Sequence, residues 1–317
     1  MAVVSDEGAR LRGRDFLTLF DFSGSEVEYL LDRAAALKAE RAMGVQRNSL
    51  AGKHVGLLFF KPSTRTRISF EVAARELGGS ALYLSASELQ LGRGESIEDT
   101  ARVLSRYLHA LVIRTFAQAD LEAFAKAASI PVINGLTDSF HPVQVLADLL
   151  TIKERFGELR GLRLAYVGDG NNMAHSLMAG GALLGMHVVV SSPQGYQPDP
   201  DVVRRAQDRA GQSGGSVSLI PDPAEAVKGA RVVYTDTWVS MGQENERSAR
   251  LAAFRGFQVN EELFRRAEPD AVFLHCLPAH KGEEVSEAVF ESDRSLVFDQ
   301  AENRLHVQKA LLESLLE

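Results

Sequence analysis

The sequence is short of several things, and each shortage closes a route. It holds one cysteine, Cys276, so no intramolecular disulfide framework can form, as fits a reducing compartment. It has no basic surplus: the net charge is −7, against the excess of Lys and Arg usual in duplex-binding proteins. Nucleic acid is therefore not an expected partner, although a local basic pocket could still take a small anion. No run of about eighteen apolar residues occurs, so no membrane span is expected. The first residues, "MAVVSDEGARLRGRD", lack an apolar core and carry acids early, which predicts neither a secretory signal nor a transit peptide. These absences together predict a cytoplasmic protein.

What remains is ample for folding. The 317 residues are 45% hydrophobic and 24% charged, enough for two α/β domains with sizeable cores. Nine short apolar, β-branched runs are expected as strands: 54–60, 80–84, 110–114, 131–136, 163–168, 187–192, 216–220, 231–236 and 271–276. Helical patterns lie between nearly all of them. Strands this uniformly apolar, alternating with helices, point to parallel sheets covered on both faces. The reading is two doubly wound parallel-sheet domains of similar size, linked by interdomain helices. The break falls near 135–160, where a long helical pattern begins, giving domains 1–150 and 151–317, with the last helix free to pack on the first. No repeat or low-complexity tract stands out.

Ligands of such sheets bind beyond the carboxyl ends of the strands, so the residues directly after each strand carry the information. After the first comes "KPSTRTR". Ser63, Thr64 and Thr66 can cap the following helix and donate to oxygens, and Arg65 and Arg67 offer forked donors suited to phosphate. No Walker sequence is present. The plain alternative is a capped helix with solvated arginines. Arg114 closes another strand, as a ligand clamp or an ion-pair partner. His141 and Gln144, at i and i+3 on a first helical turn opened by Pro142, could jointly face a carbonyl group, or His141 could merely cap.

"YVGDGNN" imitates a dinucleotide loop, but Met173 stands where a third glycine is needed, and the next strand ends "SSPQ" without the acid that would hold a ribose. Asn171 and Asn172 are then ligand amides or turn formers. Asp236, followed by the sole tryptophan, Trp238, could meet a cationic group or cap an element. In "LHCLPAH", His275 and Cys276 are adjacent, and strand alternation would put them on opposite faces. This argues against a Cys–His dyad, and the spacing is wrong for zinc. A lone cysteine of this kind is ordinarily inert filling.

Taken in order, "STRTR", "HPVQ", "DTWVSMG" and "HCLP" resemble the aspartate/ornithine transcarbamoylase family, and its ornithine-type branch in particular. The resemblance spans nearly the whole chain, including "ESIEDTARVLSRY" and the terminal "AENR". An aspartate-type member would have proline after the equivalent of His275 and a lysine in the loop reading "QLGRGES"; a putrescine-type member would lack "SMG".

The resemblance implies carbamoyl transfer from carbamoyl phosphate to the δ-amine of L-ornithine, giving L-citrulline and phosphate in arginine metabolism, without cofactor or metal. It implies that Ser63, Thr64, Arg65, Thr66 and Arg114 bind the phosphate. His141, with Arg114 and Thr66, would hold the carbamoyl oxygen. Gln144 would hold the carbamoyl nitrogen, with the Leu277 carbonyl and Arg304 nearby. Gln90 would reach a neighbouring subunit's site in a homotrimer, or a multiple of trimers, with shared active sites. For ornithine it implies Asn172, Asp236, Ser240 and Met241, with Cys276 beside Asp236 and the amine. A modified ornithine or another amine as acceptor, a non-catalytic anion binder and, more remotely, an NAD-dependent oxidoreductase stay open.

Overall fold

The computed structural model describes residues 6–240 and 242–317, apart from the side chains at 6, 92 and 93. All nine expected strands form: β1 (His54–Phe59), β2 (Ser80–Ser85), β3 (Ala110–Arg114), β4 (Val132–Leu136), β5 (Arg163–Val167), β6 (His187–Ser191), β7 (Ser216–Leu219), β8 (Val232–Thr235) and β9 (Val272–His275). They assemble into two sheets in which every strand pair is parallel. The chain divides into two compact units, Met1–Leu150 with Glu302–Glu317, and Thr151–Ala301. Two helices carry the backbone from one unit to the other, Pro142–Phe156 and Val297–Leu316.

The first unit's sheet has the order β2-β1-β3-β4. Its central strands are buried along almost their whole length, whereas β2, at the edge, has only exposed and half-buried residues. Leu58, Leu111, Ile113, Phe124 and Val132 share one core beneath the helices that cover the sheet. The order places the reversal of winding between β1 and β3, where a crevice opens at the strand ends. Arg114 therefore sits on the strand hydrogen-bonded to the one that feeds "STRTR", with Phe59 opposite it in register.

The second sheet has the order β7-β6-β5-β8-β9. Its winding reverses between β5 and β8, so the segments after these two strands, Gly168–Asn172 and Asp236–Ser240, flank the second crevice. Val167, Val233, Phe264, Phe273 and Val285 lie in the core below. Among the described residues, no helix is long and apolar enough to cross a membrane.

Candidate active site

In the first unit, Ser63 is the N-cap of helix Thr64–Glu76, its hydroxyl accepting from the Thr66 amide at 3.2 Å. This leaves the early amides of the helix pointing into the β1/β3 crevice, where an anion is favoured. Thr64 is exposed and Arg65 half-buried, while Thr66 is fully buried and accepts a hydrogen bond from the Arg304 guanidinium at 2.7 Å. Arg304 lies on the C-terminal helix, which returns to this unit.

Arg67 departs from expectation. It is exposed, bonded to Glu71 at 2.9 Å and stacked over the Tyr83 ring at 3.7 Å. Two positions along a first helical turn point in different directions, so Arg65 and Arg67 do different jobs.

His141 precedes helix Pro142–Phe156, which begins on the proline as expected. Its imidazole is buried, and its pKa is driven well below 6.5, first by desolvation and then by the charges of Arg304, Arg114 and Arg65. It is therefore neutral near pH 7 and can donate one N–H without adding charge. Gln144 is 1% exposed; its amide nitrogen donates to Asp148 at 2.9 Å. Gln90 is exposed on the short turn Gln90–Arg93 and makes no hydrogen bond to these groups among the described residues.

The second unit's crevice is acidic. Asp236 does not cap a helix: it accepts from the Asn171 amide at 2.8 Å, the Cys276 thiol at 3.0 Å and its neighbour's N–H, Thr237, at 2.8 Å. Asn171 caps helix Asn172–Leu183 by accepting from Met173 and Ala174, and it also accepts from the Tyr166 hydroxyl at 3.2 Å. Burial, followed by Asp236 and Asp169, holds the Tyr166 pKa well above 10, so this hydroxyl stays a donor. Asn172 is the half-buried first residue of the helix. Ser240 begins a turn closed by Gln243, whose side chain accepts from the Ser240 amide at 3.1 Å. Met241 lies outside the described residues.

Cys276 is not filler. It is half-buried and bonded to Asp236. Strand alternation does not separate it from His275, because β9 ends at His275 and Cys276 lies beyond the pleated strand. The thiol, the imidazole and the Asp236 carboxylate come within 4.8 Å of one another. Even so, His275 has no lone pair to offer. Its Nδ1 accepts from the Leu277 amide at 2.9 Å, which puts the proton on Nε2, directed at Glu284 at 3.2 Å. The trio is thus a poor metal site.

One buried ion pair joins a strand-end residue to one that the sequence did not mark. Asp169 and Arg250, both buried, form an ion pair, and Arg250 also donates to the Trp238 carbonyl at 2.5 Å while lying over the Tyr196 ring at 4.8 Å. Burial pushes the Asp169 pKa to about 6, with Arg250 opposing and Asp236 adding to the rise. Asp169 follows a strand and was visible on that ground. Arg250, on a short helix with no motif, gave no signal.

The glycines of "GDGNN" have a local cause. Gly168 has a φ of 149°, and a Cβ at Gly170 would collide with the backbone of Gln197 and Pro198. The loop is tight because the 196–198 segment packs on it, with no pyrophosphate needed.

Matches to known proteins follow the same two-part division. A family model described as "Aspartate/ornithine carbamoyltransferase, carbamoyl-P binding domain" matches residues 14–154. A second, "Aspartate/ornithine carbamoyltransferase, Asp/Orn binding domain", matches residues 160–315. The chain belongs to the aspartate/ornithine carbamoyltransferase family. It is 60% identical to an ornithine carbamoyltransferase of Symbiobacterium thermophilum, over 95% of this chain and 97% of that one. Among solved structures it is similar to the ornithine carbamoyltransferase of Pyrococcus furiosus, with a TM-score of 0.94 and 53% identity, over 96% and 98% of the two chains. The mitochondrial ornithine carbamoyltransferase of Coccidioides immitis, at 38% identity, keeps a TM-score of 0.89 over 96% and 98%.

Proposed function

We propose that this protein transfers the carbamoyl group of carbamoyl phosphate to the δ-amine of L-ornithine, forming L-citrulline and phosphate in arginine metabolism. The observation that carries this reading is the gathering of Arg65, Arg114 and Arg304 around a buried, neutral His141. A dianionic acyl phosphate needs cations for its phosphate and a donor for its carbonyl oxygen, and this cluster supplies both.

The phosphate sits on Ser63, Thr64, Arg65, Thr66 and Arg114. His141, with Arg114 and Thr66, donates to the carbamoyl oxygen, and Gln144 faces the carbamoyl nitrogen. Attack by the neutral δ-amine on the carbamoyl carbon makes that oxygen negative. Donors already in place lower the barrier because they need not reorganise. The C–O bond to phosphate then breaks, and phosphate leaves into the cationic crevice.

Ornithine is the ligand of the second unit. Asp236 takes its α-ammonium, Asn172 its carboxylate end, and Ser240 and Met241 its chain. The δ-ammonium must lose a proton before attack; the Cys276 sulfur can accept it once its own proton has passed to the Asp236 carboxylate along their hydrogen bond. The exposed Gln90 turn serves a neighbouring subunit in a homotrimer, and the reaction takes place in the cytoplasm.

The test is citrulline formation by the purified protein with ornithine, aspartate and putrescine as competing acceptors. Activity confined to ornithine is expected. Activity with aspartate or putrescine but not ornithine would overturn the assignment.

A further inference from the structure

We infer that Asp148 sets the protein's preference for carbamoyl over other acyl phosphates, by fixing which end of the Gln144 amide faces the substrate. This inference rests on the proposed reaction.

Asp148 lies four residues after Gln144 on helix Pro142–Phe156 and is fully buried. The Gln144 amide nitrogen donates to its Oδ1 at 2.9 Å. A carboxylate only accepts, so the nitrogen must be the end that faces Asp148. The other end, Oε1, is buried and has no hydrogen-bond partner among the described residues. A buried acceptor without a donor costs stability and calls for an explanation.

The surroundings supply one. Arg65, Arg114, Arg304 and the neutral His141 are donors, suited to the phosphate and carbonyl oxygens of any acyl phosphate. They cannot tell a carbamoyl group from an acetyl group. The two differ by an NH₂ in place of a methyl, and the NH₂ is a donor that needs an acceptor. Gln144 Oε1 is an acceptor of that kind, on the same helical turn as His141. Were the amide reversed, its NH₂ would meet the carbamoyl NH₂, donor against donor, while an acetyl methyl would lose nothing. Sites built to bond a polar group reject an analogue that lacks it far more strongly than apolar pockets reject a missing methylene. Asp148 touches no substrate in this account; it is a positioning residue.

The experiment compares equilibrium binding of carbamoyl phosphate, acetyl phosphate and inorganic phosphate to the full-length protein without ornithine. In Asp148→Asn, the new amide can donate to Gln144 Oε1 and turn the Gln144 amide around. Carbamoyl phosphate should then bind about tenfold or more weaker, with acetyl phosphate and phosphate changed by less than about threefold. The carbamoyl-to-acetyl affinity ratio collapses.

The double variant Asp148→Asn with Gln144→Glu conserves net charge. Its residue 144 carboxylate can accept from Asn at 148 with one oxygen and from the carbamoyl NH₂ with the other. The ratio should recover relative to the single variant even if overall affinity does not. An unchanged ratio in Asp148→Asn, or equal weakening of all three ligands, would overturn the inference. If the single variant fails to fold, a double variant that folds and lacks the preference would do the same. Wild-type protein that makes citrulline while the ratio ignores Asp148 sinks only this inference; wild-type protein that makes none sinks the proposed reaction first.

Discussion

The two crevices occupy the same place in two similar sheets and carry opposite charge. Between β1 and β3 the strand ends present Arg65 and Arg114, joined by Arg304 from the returning helix; burial first, and then these charges, hold His141 neutral. Between β5 and β8 they present Asp169 and Asp236, with a thiol bonded to one and an arginine paired with the other. The fold fixes where a ligand goes, and the residues placed there fix its sign. One topology repeated twice can thus serve an anionic donor and a cationic acceptor.

The comparison breaks hardest on the cationic side. In the proposed reaction Arg114 donates to both the phosphate and the developing oxyanion, so Arg114→Ala should lower turnover by about 100-fold or more. Steady-state rates at saturating substrates check this. A loss below about tenfold would make Arg114 a structural partner only.

On the acidic side, Asp236→Asn keeps shape and removes the charge proposed to meet the α-ammonium. Losing one partner of a desolvated charge pair costs roughly 2–5 kcal/mol. The apparent ornithine affinity should drop by about 30-fold or more. Unchanged ornithine affinity would reduce Asp236 to a brace for Asn171 and Cys276.

A smaller effect sharpens the contrast through pH. Asp169 takes a proton below about 6 and then loosens its hold on Arg250, which anchors the Trp238 carbonyl two residues before Ser240. The ornithine KM should rise a few-fold as pH falls through about 6. Asp169→Asn should show the raised KM at every pH, with that limb gone. For stability the sign is opposite. The folded pKa is raised from 3.8 to about 6, so the contribution is fullest below 3.8 and is lost as pH rises through about 6.

The smallest effect concerns His141. Its folded pKa lies well below 6.5, so the unfolded chain takes the proton first and stability falls as pH drops below 6.5. His141→Gln should flatten that part of a melting-temperature profile; an identical slope in both proteins would contradict the burial argument.

The strands were legible because parallel strands buried on both faces leave uninterrupted apolar runs, and the residues following them marked both sites. The order of strands was not legible. Arg114 belongs to the third strand in sequence, yet it neighbours the first, because pairing is decided by crossover connections that leave no local trace. Side-chain direction was lost wherever an element ended. Strand alternation, carried one residue too far, set His275 and Cys276 apart, although β9 ends at His275 and their side chains lie close together. Arg67 looked like Arg65 but turns outward to Glu71 and Tyr83. Arg250 was invisible because its partner lies 81 positions away and no spacing links them.

The division of labour between the units meets its most direct test in a titration of full-length Asp236→Asn with carbamoyl phosphate, with no ornithine present. An affinity within about threefold of wild type is expected, since the donors proposed for that ligand lie in the first unit. Loss of carbamoyl phosphate binding in a variant that melts like wild type would contradict it.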